Sequence, residues 1–188
     1  MTRIVAGVVG GRRLKVPPRG TRPTSERVRE ALFNSLTTLV DLDGAHVLDL
    51  YAGSGALGFE ALSRGAVAAT FVESDKQAAD VLKANARTLA LPGATVLNRT
   101  AETAVAVAPA ASFDIVFADP PYAVDEVRLG RVLALLVVNG WTAPDAVVVV
   151  ERAARDPEPT WPAGLEPLRT KRYGDTALHW AERSGVTG

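Results

Sequence analysis

Between Gly44 and Val150 the chain alternates short apolar β-prone runs with longer helical stretches, and this alternation constrains the fold most. The β-prone runs are residues 46–50, 67–72, 95–97, 113–118 and 146–150; helical patterns fill 56–63, 76–89, 102–108 and 126–138. In the longest helical segment Ala79, Leu82, Ala86 and Leu89 share one side, and Asp75 is placed to cap it. Pro109 and Asn139-Gly140 end two of the helices. Strands that alternate with helices pair in parallel, because each crossover returns the chain to the same end of the sheet, and the helices cover both faces. Ligands of such sheets gather beyond the carboxyl ends of the strands. The pattern then changes: residues 165–173 and 176–180, around Gly174-Asp175, predict an antiparallel hairpin.

Upstream of the alternation, residues 4–9 and 12–16 flank Gly10-Gly11 and predict another hairpin. Pro17-Pro18 breaks it, and Thr24 or Ser25 caps a helix whose Val28, Ala31, Leu32, Leu36 and Leu39 face a core. The overall formal charge is zero, but it is unevenly spread. Residues 1–30 carry Arg3, Arg12, Arg13, Lys15, Arg19, Arg22, Arg27 and Arg29 against two glutamates, a net +6; the other 158 residues carry −6. A basic arm on an acidic body suits a polyanion, and the arginine bias suits phosphates. The arm's arginines, Arg29 included, are expected to remain at the surface.

Composition closes other routes. At 188 residues the chain is expected to hold one domain, long enough to bury roughly 70% of its unfolded surface. It has no cysteine, which excludes disulfides, thiolate zinc sites and cysteine nucleophiles, and its two histidines cannot build a metal cage. No metal is expected. The longest clean apolar run, 132–138, is far short of the roughly 20 residues a membrane span needs. No leader pattern opens the chain. A cytoplasmic protein without membrane contact is expected, and a monomer, since no long apolar stripe is left over.

Two motifs carry the chemistry. Asp49-Leu50-Tyr51-Ala52-Gly53-Ser54-Gly55-Ala56-Leu57-Gly58 follows a strand and opens a helix, and its glycines fit G-x-G-x-x-G. Glu73 ends the next strand, where an acid can accept from both hydroxyls of a ribose. The loop therefore suits either a dinucleotide or S-adenosylmethionine. Asp49 favours the second, because a carboxylate attracts an ammonium and repels a pyrophosphate. Asp119-Pro120-Pro121-Tyr122 ends the strand 113–118 on the same sheet edge. Its prolines remove two N–H donors and leave acceptors. With the Asp119 carboxylate and the Tyr122 ring they suit a planar base with an exocyclic amine. Hydrogen bonds to that amine favour a pyramidal nitrogen whose lone pair can attack a methyl sulfonium in line.

These motifs resemble class I methyltransferases that act on exocyclic amines. Ile4-Val5-Ala6-Gly7, Gly11-Arg12-Arg13-Leu14, Thr21-Arg22-Pro23-Thr24, the run from Arg27 to Asn34 and the ending Lys171-Arg172-Tyr173-Gly174-Asp175-Thr176 are similar to the RsmD family over nearly the whole chain. The resemblance implies a Rossmann-like class I α/β fold: a mostly parallel seven-stranded sheet, helices on both faces, an antiparallel C-terminal hairpin and a basic N-terminal β-hairpin extension. It divides the chain into an arm at 1–22, a methyltransferase domain at 23–183 and a fraying tail at 184–188. It implies methylation of N2 of a guanine in 16S ribosomal RNA, within the assembled small ribosomal subunit, with S-adenosylhomocysteine as by-product.

By the same resemblance Asp49, Tyr51, Ala52, Gly53, Ser54, Gly55, Glu73, Ser74, Ala101, Glu102 and Asp119 hold the donor. Asp119, Pro120, Pro121 and Tyr122 hold the guanine, and the arm's basic residues grip RNA. Tyr51 stands where the family's loop has phenylalanine, a change that is tolerated if its hydroxyl finds a partner. His46, His179, Trp141 and Trp161 read as structural, and Lys76, Lys83 and Arg87 as a solvated face. Glu151 ends a strand on the functional edge, so position alone makes it a candidate. Three rivals remain: a DNA adenine methyltransferase, a dinucleotide-dependent oxidoreductase, which gives Asp119–Tyr122 no task, and a non-catalytic RNA-binding assembly factor.

Overall fold

The computed structural model describes residues 2–18 and 24–185. Arg19, Arg22, the start of the Thr21–Thr24 motif and the last three residues of the expected tail lie outside the described residues. A two-stranded antiparallel ribbon, β1 (Thr2–Arg3) and β2 (Arg13–Leu14), precedes α1 (Glu26–Leu36). Then come β3 (His46–Leu50), α2 (Ala56–Ser63), β4 (Ala68–Val72), α3 (Lys76–Leu89), β5 (Ala94–Leu97), α4 (Ala101–Val105), β6 (Phe113–Ala118), α5 (Glu126–Val138), β7 (Thr142–Ala153), β8 (Leu165–Tyr173) and β9 (Thr176–Arg183).

The main sheet has seven strands in the order β5-β4-β3-β6-β7-β9-β8. β5 to β7 pair in parallel; β9 pairs antiparallel with both β7 and β8. This is the Rossmann-like class I methyltransferase architecture, with its antiparallel C-terminal hairpin. Strand order reverses between β3 and β6, and the carboxyl ends of those two strands flank the crevice where such sheets take ligands. Alternate strand residues feed two cores. Val47, Phe71, Phe117 and Val149 pack with Phe33, Phe59 and Leu82 from α1, α2 and α3. Leu48, Val72, Val116 and Val148 pack with Val105, Leu129 and Leu133 from α4 and α5. Burying each such side chain contributes about 1.5–3 kcal/mol.

Caps fix the helix starts. Ser25, Asp75, Thr100 and Asp125 each accept the N–H three residues on. The cap at Thr100 starts α4 one residue earlier than expected. α4 also stops earlier, at Val105, whose carbonyl accepts from Asn139 Nδ2 at 2.7 Å; Trp141 Nε1 donates to the Val107 carbonyl at 2.8 Å. β7 is longer than residues 146–150, because a register irregularity with Asp145 at φ 63° lets it pair at both ends.

The arm departs further from expectation. Residues 4–9 do not form a strand: Ile4 N–H still pairs within the arm, with the Arg12 carbonyl at 2.9 Å, but the N–H groups of Val5, Val8 and Val9 are spent on the body. Val5 N–H donates to both Glu60 carboxylate oxygens at 3.0 Å. Val8 N–H donates to the Ser63 carbonyl at 2.8 Å and Val9 N–H to Ser63 Oγ at 3.1 Å. Gly7 turns here at φ 86°, and a Cβ on it would lie 2.0 Å from the Ser63 carbonyl oxygen. Arg29 is fully buried, not at the surface: its Nη2 donates to Thr2 Oγ1 and the Arg3 carbonyl at 2.8 Å. Ser184, expected in a fraying tail, donates its N–H to the Gly164 carbonyl at 2.9 Å. No helix among the described residues is long and apolar enough to cross a membrane.

Candidate active site

The loop after β3 reverses direction within three residues. Tyr51 takes φ 58°, Ala52 N–H reaches the Val72 carbonyl at 3.0 Å, and Gly55 N–H reaches the Ala52 carbonyl at 2.8 Å. Asp49 points from β3 under this turn, where its Oδ2 accepts from Gly58 N–H at 3.0 Å. Gly58 is required: a Cβ there would lie 2.3 Å from the Phe71 ring. Burial pushes the Asp49 carboxyl up to about 8, and nearby Glu73 adds to this, against the pull of the Gly58 N–H. A cation placed beside this group would offset the cost of its ionisation. Glu73 leaves the end of β4 and braces the loop: Oε1 accepts from Gly53 N–H at 3.0 Å and Oε2 from Asp75 N–H at 2.9 Å. These bonds leave lone pairs on both oxygens for hydroxyl donors.

These groups wall a cavity of about 240 Å³. Of the expected donor residues, Asp49, Tyr51, Ala52, Gly53, Ser54, Glu73, Ser74 and Asp119 line it; Gly55, Ala101 and Glu102 do not. Glu102 is instead gripped by Arg128 at 2.9 Å, and Ala101 is buried at the start of α4. Val16, Pro17 and Thr24 also line the cavity, so the arm closes one side of it. Buried Asn85 fastens that side, bonding Lys15 N–H at 2.9 Å and both the Lys15 and Ser54 carbonyls at 3.0 Å. The Tyr51 hydroxyl is buried and finds no hydrogen-bond partner among the described residues, and burial, with Glu102 nearby, pushes the phenol up to about 12.

A second cavity, of about 470 Å³, opens beside the first. Asp119, Pro120, Pro121, Tyr122 and Ala123 form one wall, and Glu151, Arg152, Asp156 and Asp175 belong to the others. The register pairs Ala118 with Val150, so Asp119 and Glu151 are the next residues of adjacent strands. Asp119 is raised well above the usual carboxylate range, first by burial, then by Glu151 and Asp49. Burial raises Glu151 as well, although the Thr24 hydroxyl donates to its Oε2 and opposes this. Tyr122 is 83% exposed, with the Arg155 guanidinium 5.9 Å from its ring centre. Asp119 and Pro121 line both cavities, so a ligand in one meets a ligand in the other there. The arrangement can hold a cationic nucleoside and a flat, donor-rich ring against each other.

The basic residues divide. Arg3, Arg12, Arg13, Lys15 and Arg27 are exposed, with Arg3 paired to Glu26 at 3.0 Å and Arg12 Nη2 on the Thr88 carbonyl at 2.8 Å. Buried Arg29 cannot reach a phosphate. His46 and His179 lie outside both cavities; His179 Nδ1 bonds Thr170 Oγ1 at 2.8 Å, and burial holds the ring below its usual range. Thr24 is marked in the sequence only as a capping candidate and as the end of the Thr21–Thr24 motif, with no site role, and Asn85 has no sequence signal.

The family described as Conserved hypothetical protein 95 matches residues 2–182. Ribosomal RNA small subunit methyltransferase D of Escherichia coli K12 is 41% identical over 182 residues, covering 96% of this chain and 89% of that protein. The Haemophilus influenzae protein of the same name is 41% identical over 153 residues, 79% of this chain and 77% of its own. The solved structure of Escherichia coli yhhF superposes with a TM-score of 0.87 at 40% identity, covering 98% of each chain. Matched over nearly its whole length in sequence and in fold, the chain belongs to the RsmD family.

Proposed function

We propose that this protein transfers a methyl group from S-adenosylmethionine to the exocyclic N2 of a guanine in 16S ribosomal RNA, within the assembled small subunit. The observation that carries the reading is the meeting of the two cavities at Asp119 and Pro121. The names of the curated relatives support ribosomal RNA as the substrate class.

The donor cavity fits its ligand chemically. Asp49 takes the ammonium, Gly53 and Ser54 line the methionine portion, and Glu73 accepts from the ribose. When bound, the donor supplies an electrophilic methyl whose departing electron pair stays on sulfur as the neutral thioether. In the second cavity Asp119 accepts an N–H of the target amine. The Pro121 carbonyl already accepts from Val124 N–H at 2.9 Å, which leaves the Pro120 carbonyl for the other N–H. The nitrogen lone pair then points at the first cavity. The new N–C bond forms as the S–C bond breaks, and the surplus amine proton leaves to Asp119 or water. The exposed Tyr122 ring stacks on the base drawn from the RNA. Residues 1–22 serve as the RNA-contacting arm, through Arg3, Arg12, Arg13, Lys15, Arg19 and Arg22, and Arg27 extends it.

The test supplies labelled S-adenosylmethionine to small subunits that lack base methylation, with naked 16S RNA and duplex DNA alongside, and digests the products to nucleosides. Label in N2-methylguanosine from the particle is expected. Label in N6-methyladenine from DNA refutes the substrate, and no label anywhere refutes the enzyme.

A further inference from the structure

The second cavity holds one carboxylate more than amine binding needs. Asp119 follows Ala118 at the end of β6 as Glu151 follows its register partner Val150 on β7, and both residues line the same cavity. The Thr24 hydroxyl fixes Glu151 through Oε2; among the described residues Oε1 takes no hydrogen bond. Asp156 and Asp175 add to the acidic lining, while the Arg152 guanidinium is turned to the Val124 carbonyl and to Glu126, each at 3.2 Å. Two adjacent acceptors call for two adjacent donors. Of the bases with an exocyclic amine, guanine alone has a ring N–H beside it; adenine and cytosine have a ring lone pair there.

Resting on the guanine-N2 reading above, we infer that Glu151 selects the base, its carboxylate accepting the guanine N1–H while Asp119 accepts from the N2 amine. A ring lone pair set against the Glu151 acceptor oxygen has no proton to share with it, so adenine and cytosine are refused by the neighbour of the amine and not by the amine itself. Specificity of this kind comes from leaving a buried polar group unpaired with the wrong ligand. Thr24, at the base of the arm, is a positioning residue for that carboxylate.

The test uses the full-length protein and small subunits carrying either guanosine or 2-aminopurine riboside at the methylated nucleotide. 2-Aminopurine keeps the N2 amine but has a lone pair at N1 and lacks the 6-oxygen. Wild type is expected to favour guanosine in kcat/KM by about ten- to a hundred-fold. Glu151→Gln, which can donate to N1, is expected to shrink that preference to within about threefold, with donor affinity and Tm held near wild type. A preference unchanged in Glu151→Gln overturns the assignment while leaving the guanine reading intact. Should that variant fail to fold, Thr24→Val carries the test: the preference falls at least about threefold, or the assignment fails. Wild-type label outside N2-methylguanosine refutes the guanine reading first, and the assignment with it.

Discussion

Glu60 is the post to which the arm is tied, and removing its charge without changing its shape tests whether the arm is part of the folded body. Glu60 is fully buried on α2; both its oxygens accept from Val5 N–H at 3.0 Å, and Arg64 Nη2 lies 3.3 Å away. Arg29, also fully buried, is held charged by Glu60 against its own desolvation. Glu60→Gln keeps the volume and one acceptor for Val5 but leaves two guanidiniums without their shared counter-charge. Breaking a buried ionic group in this way costs about 3–5 kcal/mol. Unfolding entropy near 2.1 cal/mol/K per residue gives about 0.4 kcal/mol/K for the 188 residues, so Tm should fall by roughly 8–13 °C. Calorimetry measures this, and limited proteolysis should cut the variant within the first 20 or so residues. Arg29→Met in the same background should recover part of the loss, because the orphaned cation is then gone. A Tm change below about 2 °C, with the arm still protected, refutes the reasoning.

Asp119→Ala should cut methyl transfer at least a hundred-fold while leaving donor affinity within about threefold, read by single turnover and calorimetric titration; equal losses in both would move Asp119 to the donor side. Replacing Arg12 and Arg13 together by alanine should flatten the salt dependence of RNA binding by about 0.7–0.9 per lost phosphate contact, whereas Arg29→Met should leave the slope unchanged. Asp49 gives a pH signature in the donor-free protein. Its folded value, about 8, lies above its ordinary 3.8, so its contribution to stability is complete below about pH 4 and is lost as pH rises towards 8. Denaturant titrations of wild type and Asp49→Asn should therefore diverge in favour of the variant by about 4 kcal/mol between pH 5 and pH 8, and parallel curves would contradict the buried charge.

What the sequence disclosed follows from how local each signal is. α3 and α5 have the expected bounds because Asp75 and Asp125 cap them and their apolar periods are unbroken. β3 and β6 match because each is a short apolar run between a turn and a polar loop, and the glycine loop and Asp119 follow from those strand ends. The arm's antiparallel pairing is legible but its docking is not, because its anchors are backbone N–H groups reaching residues 54 and 55 positions away, and backbone donors carry no sequence mark. Arg29 was misplaced although its signal was present: Leu32, Phe33 and Leu36 lie three, four and seven residues on, which sets Arg29 on the apolar stripe of α1. Gly55 belongs to the motif yet lines neither cavity, since it serves as the N-cap of α2.

The bond between Thr24 and Glu151 spans 127 residues, and this sets an order of assembly as the chain is made. Thr24 leaves the ribosome first, and at 5–20 residues per second its partner follows about 6–25 s later. Glu60 and Asn85 appear in the interval and give the arm somewhere to dock, so the arm's anchors are made before Glu151 is. β9, the last strand made, then enters between β7 and β8 and completes the sheet beside Glu151. A nascent chain interrupted before that strand would already contain Thr24, Asp119 and Glu151 but would lack the strand that pairs with β7 alongside Glu151.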